Sequence, residues 1–316
     1  MSVYTSVRPD ELVEFLARYE QGALVSYQGI KEGIENTNYF VTTEQGEYVL
    51  TVFEKHGPDE LPYFLDLMAH LAERGVPCPH PIPGRDGAYL QQINDMPAAL
   101  VQRLRGRSPE QPSIEQCRAV GAALGHMHLA GKDFGEHRPN DRGPRWWRET
   151  SEVVLPLLGE EDAALLREEI RFQGLYRFAD LPRGVIHGDL FRDNVMFEDD
   201  ELTGIIDFYY ACDDVWLYDL AITVNDWCSR DDSSLDTERL GAVLSAYHEQ
   251  RPLKAIERGA WPVMLRAAAL RFWLSRLYDL HFPRAGEITH IKDPDVFKSI
   301  LQDRIANEVV LQREWV

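Results

Sequence analysis

Between residues 185 and 208 the chain carries three short apolar runs, each set against a polar cluster. Val185-Ile186 precedes His187-Gly188-Asp189, Val195-Met196-Phe197 follows Arg192-Asp193-Asn194, and Leu202 to Ile206 leads into Asp207. The runs read as short strands that fix the loops between them. The polar skeleton is His-x-Asp-x-x-x-x-Asn, with a second Asp thirteen residues beyond the Asn. A His-Gly-Asp string alone reads more readily as a turn with a solvated carboxylate. The full string, bordered by strand-like residues, meets the demands of phosphoryl transfer from ATP. That chemistry needs a carboxylate beside the attacking hydroxyl and separate oxygen ligands for a Mg²⁺ ion bridging the phosphates. Asp189 suits the first need, and Asn194 and Asp207 the second. His187 is expected to shape the loop by bonding its backbone rather than to carry protons.

The 316 residues suggest two domains or one large one, and 44% hydrophobic residues can bury a substantial core. No apolar run approaches the ~20 residues needed to span a bilayer. The first eight residues lack the apolar stretch of a signal peptide. Cys78, Cys117, Cys212 and Cys228 show no C-x-x-C spacing, so neither a disulfide framework nor a zinc site is indicated, and a reduced cytoplasm is the simplest compartment. A net charge of −19 spread along the chain repels nucleic-acid phosphates and anionic lipid, so neither is expected as a partner. ATP is not excluded, because a local cationic pocket and Mg²⁺ offset the global field.

From the N-terminus, Leu12, Phe15, Leu16 and Tyr19 fall at helical spacing after Asp10. Residues 39–42 and 48–53 form a hairpin pattern around Glu44-Gln45-Gly46-Glu47. Ahead of it, residues 29–38 are polar and glycine-bearing, a composition that lets backbone N–H groups approach phosphates. Lys31, Gly33 and Asn36 are the nucleotide-binding candidates there. The spacing of Leu61, Phe64, Leu65, Met68 and Leu71 predicts a helix from Asp59 to Arg74, capped by Asp59 and stopped by Gly75 and Pro77. Glu60 is either an inward-facing acid of that helix or a solvated first-turn Glu favoured by the helix dipole.

Residues 98–104 read as a strand running into the turn-rich Arg105-Gly106-Arg107-Ser108-Pro109, where a hinge between lobes is expected. Adenine would bond backbone groups from Gln102 to Leu104. Ser113-Ile114-Glu115-Gln116 is a capping box opening a helix that runs to Gly131. His126 and His128, two apart on that helix, face different ways and make a poor metal pair; His128 is expected to be packed at the helix end.

The order of these parts resembles the aminoglycoside phosphotransferase and choline kinase superfamily, a branch of the protein-kinase fold. The strings carrying the likeness are residues 33–41, Tyr48-Val49-Leu50-Thr51, residues 187–195 and Ile206-Asp207-Phe208-Tyr209, with Tyr218-Asp219-Leu220-Ala221-Ile222 beyond them. Leu190-Phe191-Arg192-Asp193-Asn194, Asn225-Asp226-Trp227-Cys228 and Arg271-Phe272-Trp273-Leu274-Ser275-Arg276 together are similar to the bacterial homoserine kinase subgroup. The resemblance spans nearly the whole chain. It implies an α+β, bilobal protein-kinase-like fold: a nucleotide-binding lobe over 1–103 with a small antiparallel sheet, then a larger, mostly helical lobe over 104–316, with ATP in the cleft. It also implies ATP-dependent phosphorylation of the side-chain hydroxyl of L-homoserine, a step toward threonine. One departure stands out. Thr51 occupies the place where kinases of this fold usually carry a lysine paired with a helix Glu. Either Lys31 or Lys55 substitutes, or metal and backbone suffice, and the partner role of Glu60 is open.

Homoserine is a small zwitterion, so its pocket needs a carboxylate for the ammonium and an arginine fork for the carboxylate. Asp226 beside Trp227 is the candidate for the first, and Arg271 or Arg276 for the second; a structural salt bridge is the alternative for each. Those arginines lie five apart on a helix expected from Pro262 to Leu280, so they do not share one narrow face. Tyr209, Tyr210, Trp227 and Trp273 are candidates for the pocket wall or for aromatic core. Arg192 contacts either phosphate, substrate or a local carboxylate. Asp219 is expected to bond the catalytic-loop backbone rather than take part in the chemistry.

Overall fold

A computed structural model describes residues 5–30, 36–283, 292–313 and 315. Lys31 and Gly33, both nucleotide-binding candidates, lie outside the described residues. The chain forms two compact units, one of residues 1–107 with 203–209, the other of residues 108–202 with 210–316.

The first unit opens with helix α1 (Pro9–Leu16), which packs Leu12, Phe15 and Leu16 onto a sheet. Pro9 sits in its first turn, where a missing N–H does no harm. The strands β1 (Leu24–Gly29), β2 (Thr37–Thr43) and β3 (Gly46–Val52) follow. Next come helix α2 (Leu61–Glu73) and strands β4 (Gln91–Ile93) and β5 (Met96–Gln102). The five strands are ordered β1-β2-β3-β5-β4, and every neighbouring pair is antiparallel. Strand β2 alternates buried and half-buried positions, which points Tyr39 and Val41 into the core with Leu50, Val52 and Leu100. The turn from β4 to β5 places Asn94 and Asp95 at φ of 50° and 63°, the left-handed pair a two-residue hairpin loop requires.

The predicted helix after Asp59 begins two residues later than expected. Leu61 and Pro62 form its first turn, and Glu60 occupies the cap position without a side-chain cap bond. The Glu60 carboxylate instead accepts from the Gly57 N–H at 3.4 Å, tying the preceding turn.

The second unit is mostly helical. Its elements are α3 (Ile114–Ala130), α4 (Pro144–Val154), α5 (Glu160–Gly174), β6 (Arg183–Ile186) and β7 (Val195–Glu198). The boundary with the first unit passes within β8 (Glu201–Ile205). Then come β9 (Cys212–Val215), α6 (Trp216–Trp227), α7 (Thr237–Gln250), α8 (Ala255–His281), α9 (Pro294–Ala306) and α10 (Glu308–Arg313). The capping box at Ser113 is formed: its hydroxyl accepts from the Gln116 N–H at 3.1 Å, and Gln116 accepts from the Ser113 N–H at 3.0 Å. Helix α8 starts seven residues before Pro262, which sits inside it. Glu257, rather than the proline, marks the first turn by accepting the Lys254 N–H at 2.8 Å.

Two glycines bring α3 and α7 into backbone contact. A Cβ on Gly121 would lie 2.4 Å from the Val243 carbonyl oxygen, and one on Gly125 would lie 2.8 Å from Gln250 Cβ. All four cysteines are unpaired and buried, and burial pushes the Cys78 thiol up to about 12. Among the described residues no helix is long and apolar enough to cross a membrane.

Candidate active site

Strands β6 and β9 pair antiparallel with Ile186 opposite Cys212 and Val215 opposite Arg183. The loop therefore leaves Ile186 at the Cys212 end of the pair, while α6 leaves Val215 at the other end, and hydrogen bonds to the first turn of α6 join the two. Asp219, buried in that turn, accepts the His187 N–H at 2.8 Å and the Gly188 N–H at 2.9 Å. Burial opposes its ionisation, but the His128 hydrogen bond, the nearby histidines and the Gly188 N–H outweigh burial and hold its carboxyl below the usual range. Gly188 has φ +77°, and a Cβ there would meet the Tyr210 carbonyl oxygen at 2.8 Å. Only glycine fits this bend without strain. His187 is fully buried and its Nδ1 accepts the Asp189 N–H at 3.2 Å, so it braces the loop from inside.

The rest of the loop is held as firmly. Asn194, at the end of a 3₁₀ turn over Arg192–Asn194, donates its amide to the Asp189 carbonyl at 2.8 Å and to Asp189 Oδ2 at 3.3 Å. The Phe191 ring packs on Phe272 of α8 (centroids 4.3 Å apart) and stacks on Phe297 of α9. Trp227 donates its indole N–H to the Leu190 carbonyl at 3.1 Å. Expected beside a substrate, Trp227 is instead wholly buried and supports the loop from below, because the indole N–H finds its acceptor in the loop backbone. Trp273 is likewise core.

Asp189 keeps a fifth of its side chain exposed and meets Arg271, whose Nη1 lies 3.3 Å from Oδ1. The Arg271 guanidinium is buried over the rings of Phe272 (3.7 Å) and Tyr210 (5.1 Å). Arg276, five residues further along α8, lies over Phe297 at 4.5 Å and donates to the Asp293 carbonyl at 2.8 Å. Burial pulls its pKa down against the opposing charges of Asp226, Asp193, Asp293 and Asp189. Four carboxylates and two arginines therefore share one neighbourhood at the loop.

Asp226 and Arg192 form a pair. Asp226 Oδ2 accepts the Arg192 backbone N–H at 2.7 Å and its Nε at 3.1 Å; Oδ1 is more loosely held, 3.4 Å from Nη2. Burial pushes the Asp226 carboxyl up against the pull of Arg192. Arg192 also donates to the Glu110 carbonyl at 2.9 Å, so its side chain is held by the Asp226 carboxylate and a backbone oxygen.

Within the first unit, Thr51 lies opposite Asn38 and Ala99 in the sheet and donates to Asn38 Oδ1 at 2.8 Å. Its hydroxyl also bonds the Tyr209 side chain. The Tyr209 ring belongs to an aromatic cluster with Phe53, His56 and Phe64. Lys55, the other substitute considered for the missing lysine, is exposed. Asn36 is buried and accepts the Glu54 N–H at 3.4 Å. Gln102 closes β5, its N–H bonded to the His80 carbonyl at 2.9 Å, and Leu104 packs on Gly204. Asp207 adopts φ +64°, a left-handed conformation that Asp tolerates better than most residues with a Cβ.

Among the described residues no group of three or more His, Cys, Asp or Glu side chains is gathered to hold a metal ion. With its amide nitrogen turned to Asp189, Asn194 has Oδ1 left to offer.

Comparison with known proteins fits this geometry. The profile of a phosphotransferase enzyme family matches residues 26–253. The chain belongs to that family. Its full-length relatives include a homoserine kinase of Methylobacillus flagellatus, 52% identical over 100% of this chain and 99% of the relative. Another, from Janthinobacterium sp., is 48% identical over 96% of each chain. Solved structures share the fold at low identity. An amicoumacin kinase in complex with AMP-PNP, Ca²⁺ and Ami aligns with TM-score 0.70 and 16% identity over 94% of each chain. A spectinomycin phosphotransferase with ADP and spectinomycin aligns with TM-score 0.72 and 13% identity over 96% of this chain and 99% of its own. The α+β protein-kinase-like fold expected from the sequence is the fold these structures share.

Proposed function

We propose that this chain is an ATP-dependent kinase of L-homoserine, transferring the γ-phosphoryl group to the side-chain hydroxyl. The observation that carries the reading is the environment of Asp189: a partly exposed carboxylate fixed by Asn194 and Arg271 on a loop pinned from beneath. Full-length relatives near 50% identity that are homoserine kinases support the substrate. In this reading Asp189 holds the attacking oxygen in line and accepts its proton late, as a loose transition state allows. Asn194 and Asp207 are the ligands for Mg²⁺, which when bound neutralises phosphate charge. Asn36, Gly33 and Lys31 are assigned to the phosphates, and the backbone from Gln102 to Leu104 to adenine. Arg271 or Arg276 takes the substrate carboxylate, and the loosely held Oδ1 of Asp226 takes its ammonium. Four unpaired thiols suit a reducing cytoplasm.

Arg271 and Arg276 suit a substrate that carries a carboxylate, a group that choline and an aminoglycoside lack. The direct test offers Mg·ATP with homoserine, choline and an aminoglycoside side by side. Phosphorylation of homoserine alone supports the reading; transfer only to another alcohol overturns it. The arginine assignment has its own cycle. Removing the substrate carboxylate, as in 3-aminopropan-1-ol, is expected to lower kcat/KM about 100-fold, the scale of about 3 kcal/mol for a charged hydrogen bond. In Arg271→Gln the same change is expected to matter about twofold at most, since the partner is already gone. Equal losses in both enzymes would move the carboxylate to Arg276.

A further inference from the structure

We propose that Tyr247, Arg251 and Glu257 are positioning residues that set the direction of a buried hydrogen-bond chain ending on the loop of Asp189. The proposal rests on reading that loop as the phosphoryl-transfer loop. It concerns residues of α7 and α8 that no sequence motif brought forward.

The chain begins at Glu257, which is fully buried and pairs with both terminal nitrogens of Arg251, Nη1 at 2.9 Å from Oε2. Arg251 Nε donates to the Tyr247 hydroxyl oxygen at 2.8 Å. A guanidinium has no lone pair to offer, so Tyr247 is the acceptor in that bond. Its own O–H then donates to its other partner, His128 Nδ1, at 2.7 Å. Nδ1 therefore carries a lone pair, and the ring proton sits on Nε2, which donates to Asp219 Oδ2 at 3.0 Å. Asp219, ionised, can only accept, and it also receives the N–H groups of His187 and Gly188.

Arg251, which can only donate, and Asp219, which can only accept, leave the stretch between them one polarity. Were His128 to carry its proton on Nδ1, the bare Nε2 would face a carboxylate oxygen at 3.0 Å, and the Tyr247 oxygen would face two donors. Every member is 4% exposed or less, so water cannot repair either fault. Burial lowers the His128 pKa against the raising influence of Asp219, in keeping with a neutral ring. Trp216 forms the floor: His128 stacks on it with planes 9° apart, and the Arg251 guanidinium lies 5.3 Å from its ring centre. Gly121 and Gly125 let α7 approach α3 closely enough for Tyr247 to reach His128. The chain ends on the two residues just before Asp189, so a wrong tautomer displaces the carboxylate that meets the substrate.

The test is ring ¹⁵N–¹H correlation spectroscopy of His128, with kcat and KM for ATP, on the full chain. The wild type is expected to show the Nε2–H tautomer. Tyr247→Phe keeps the aromatic ring but removes the donor, so the tautomers mix and kcat falls about tenfold, the scale for losing a supporting hydrogen bond of an active-site group. KM for ATP is expected to stay within about twofold, because the change acts on the loop and not on nucleotide contacts. Arg251→Lys, still only a donor, keeps the Nε2–H form; Arg251→Gln, able to accept, lets the forms mix. These two variants carry the test if Tyr247→Phe fails to fold. An Nδ1–H or doubly protonated His128 in the wild type overturns the proposal, as does an unchanged kcat when the tautomers mix. A wild type with the Nε2–H form that phosphorylates no hydroxyl compound would sink the proposed function while supporting the tautomer assignment.

Discussion

Asp189→Asn is expected to lower kcat about 10²–10⁴-fold, the usual scale for a positioned acid–base group, with nucleotide affinity preserved. The substitution keeps the size of the side chain but removes its capacity to take a proton. It also sets an amide near two donors already in place, the Asn194 amide at 3.3 Å and the Arg271 guanidinium at 3.3 Å. Turnover with homoserine and separate titration of ATP distinguish chemistry from binding. The loop should stay formed, because Asp219, Trp227 and Phe191 anchor it without help from the Asp189 carboxylate. Unchanged turnover would remove Asp189 from the mechanism.

The second large effect is expected at Asp207. Replacement by Ala should abolish metal-dependent nucleotide binding, a loss of at least about 100-fold, or about 2.8 kcal/mol. Calorimetric titration of ATP with and without Mg²⁺ measures it. Because Asp207 sits at φ +64°, Ala adds backbone strain of roughly 1–2 kcal/mol to the loss of the ligand. Asp207→Asn separates the two effects, since Asn tolerates the left-handed conformation while giving up the charge. If Asn binds Mg·ATP as the wild type does, Asp207 is no metal ligand.

Local signals carried the sequence reading furthest. The strand–loop pattern from Val185 to Asp207, the capping box at Ser113 and the stop at Gly75 each follow from chemistry within a few residues, and each stands in the structure. Asp219 is legible as a backbone acceptor from the Tyr218-Asp219-Leu220-Ala221 string that carries the family resemblance. Errors arose where the deciding partner is remote. Pro262 reads as a helix start, yet α8 continues back to Ala255 because Glu257 closes the earlier turn and pairs with Arg251. Trp227 reads as a pocket wall, but its indole N–H finds an acceptor 37 residues away. His128 reads as a packed helix-end residue, and it is packed; its partners Tyr247 and Asp219 lie 119 and 91 residues away, with no spacing to announce them. Tyr247, Arg251 and Glu257 belong to no recognisable string, since only the glycine-mediated contact of α3 and α7 unites them with the loop.

The burial of all four cysteines gives the molecule an internal clock. Electrophiles need a thiolate they can touch, and here each sulfur is enclosed in packed core. Alkylation under native conditions should thus proceed only as fast as the fold opens, and the four sites, spread over both compact units, should time the opening of each region separately. Mass-spectrometric labelling of an untagged sample would read those openings directly, and rapid modification of any one sulfur would mark where the structure yields first.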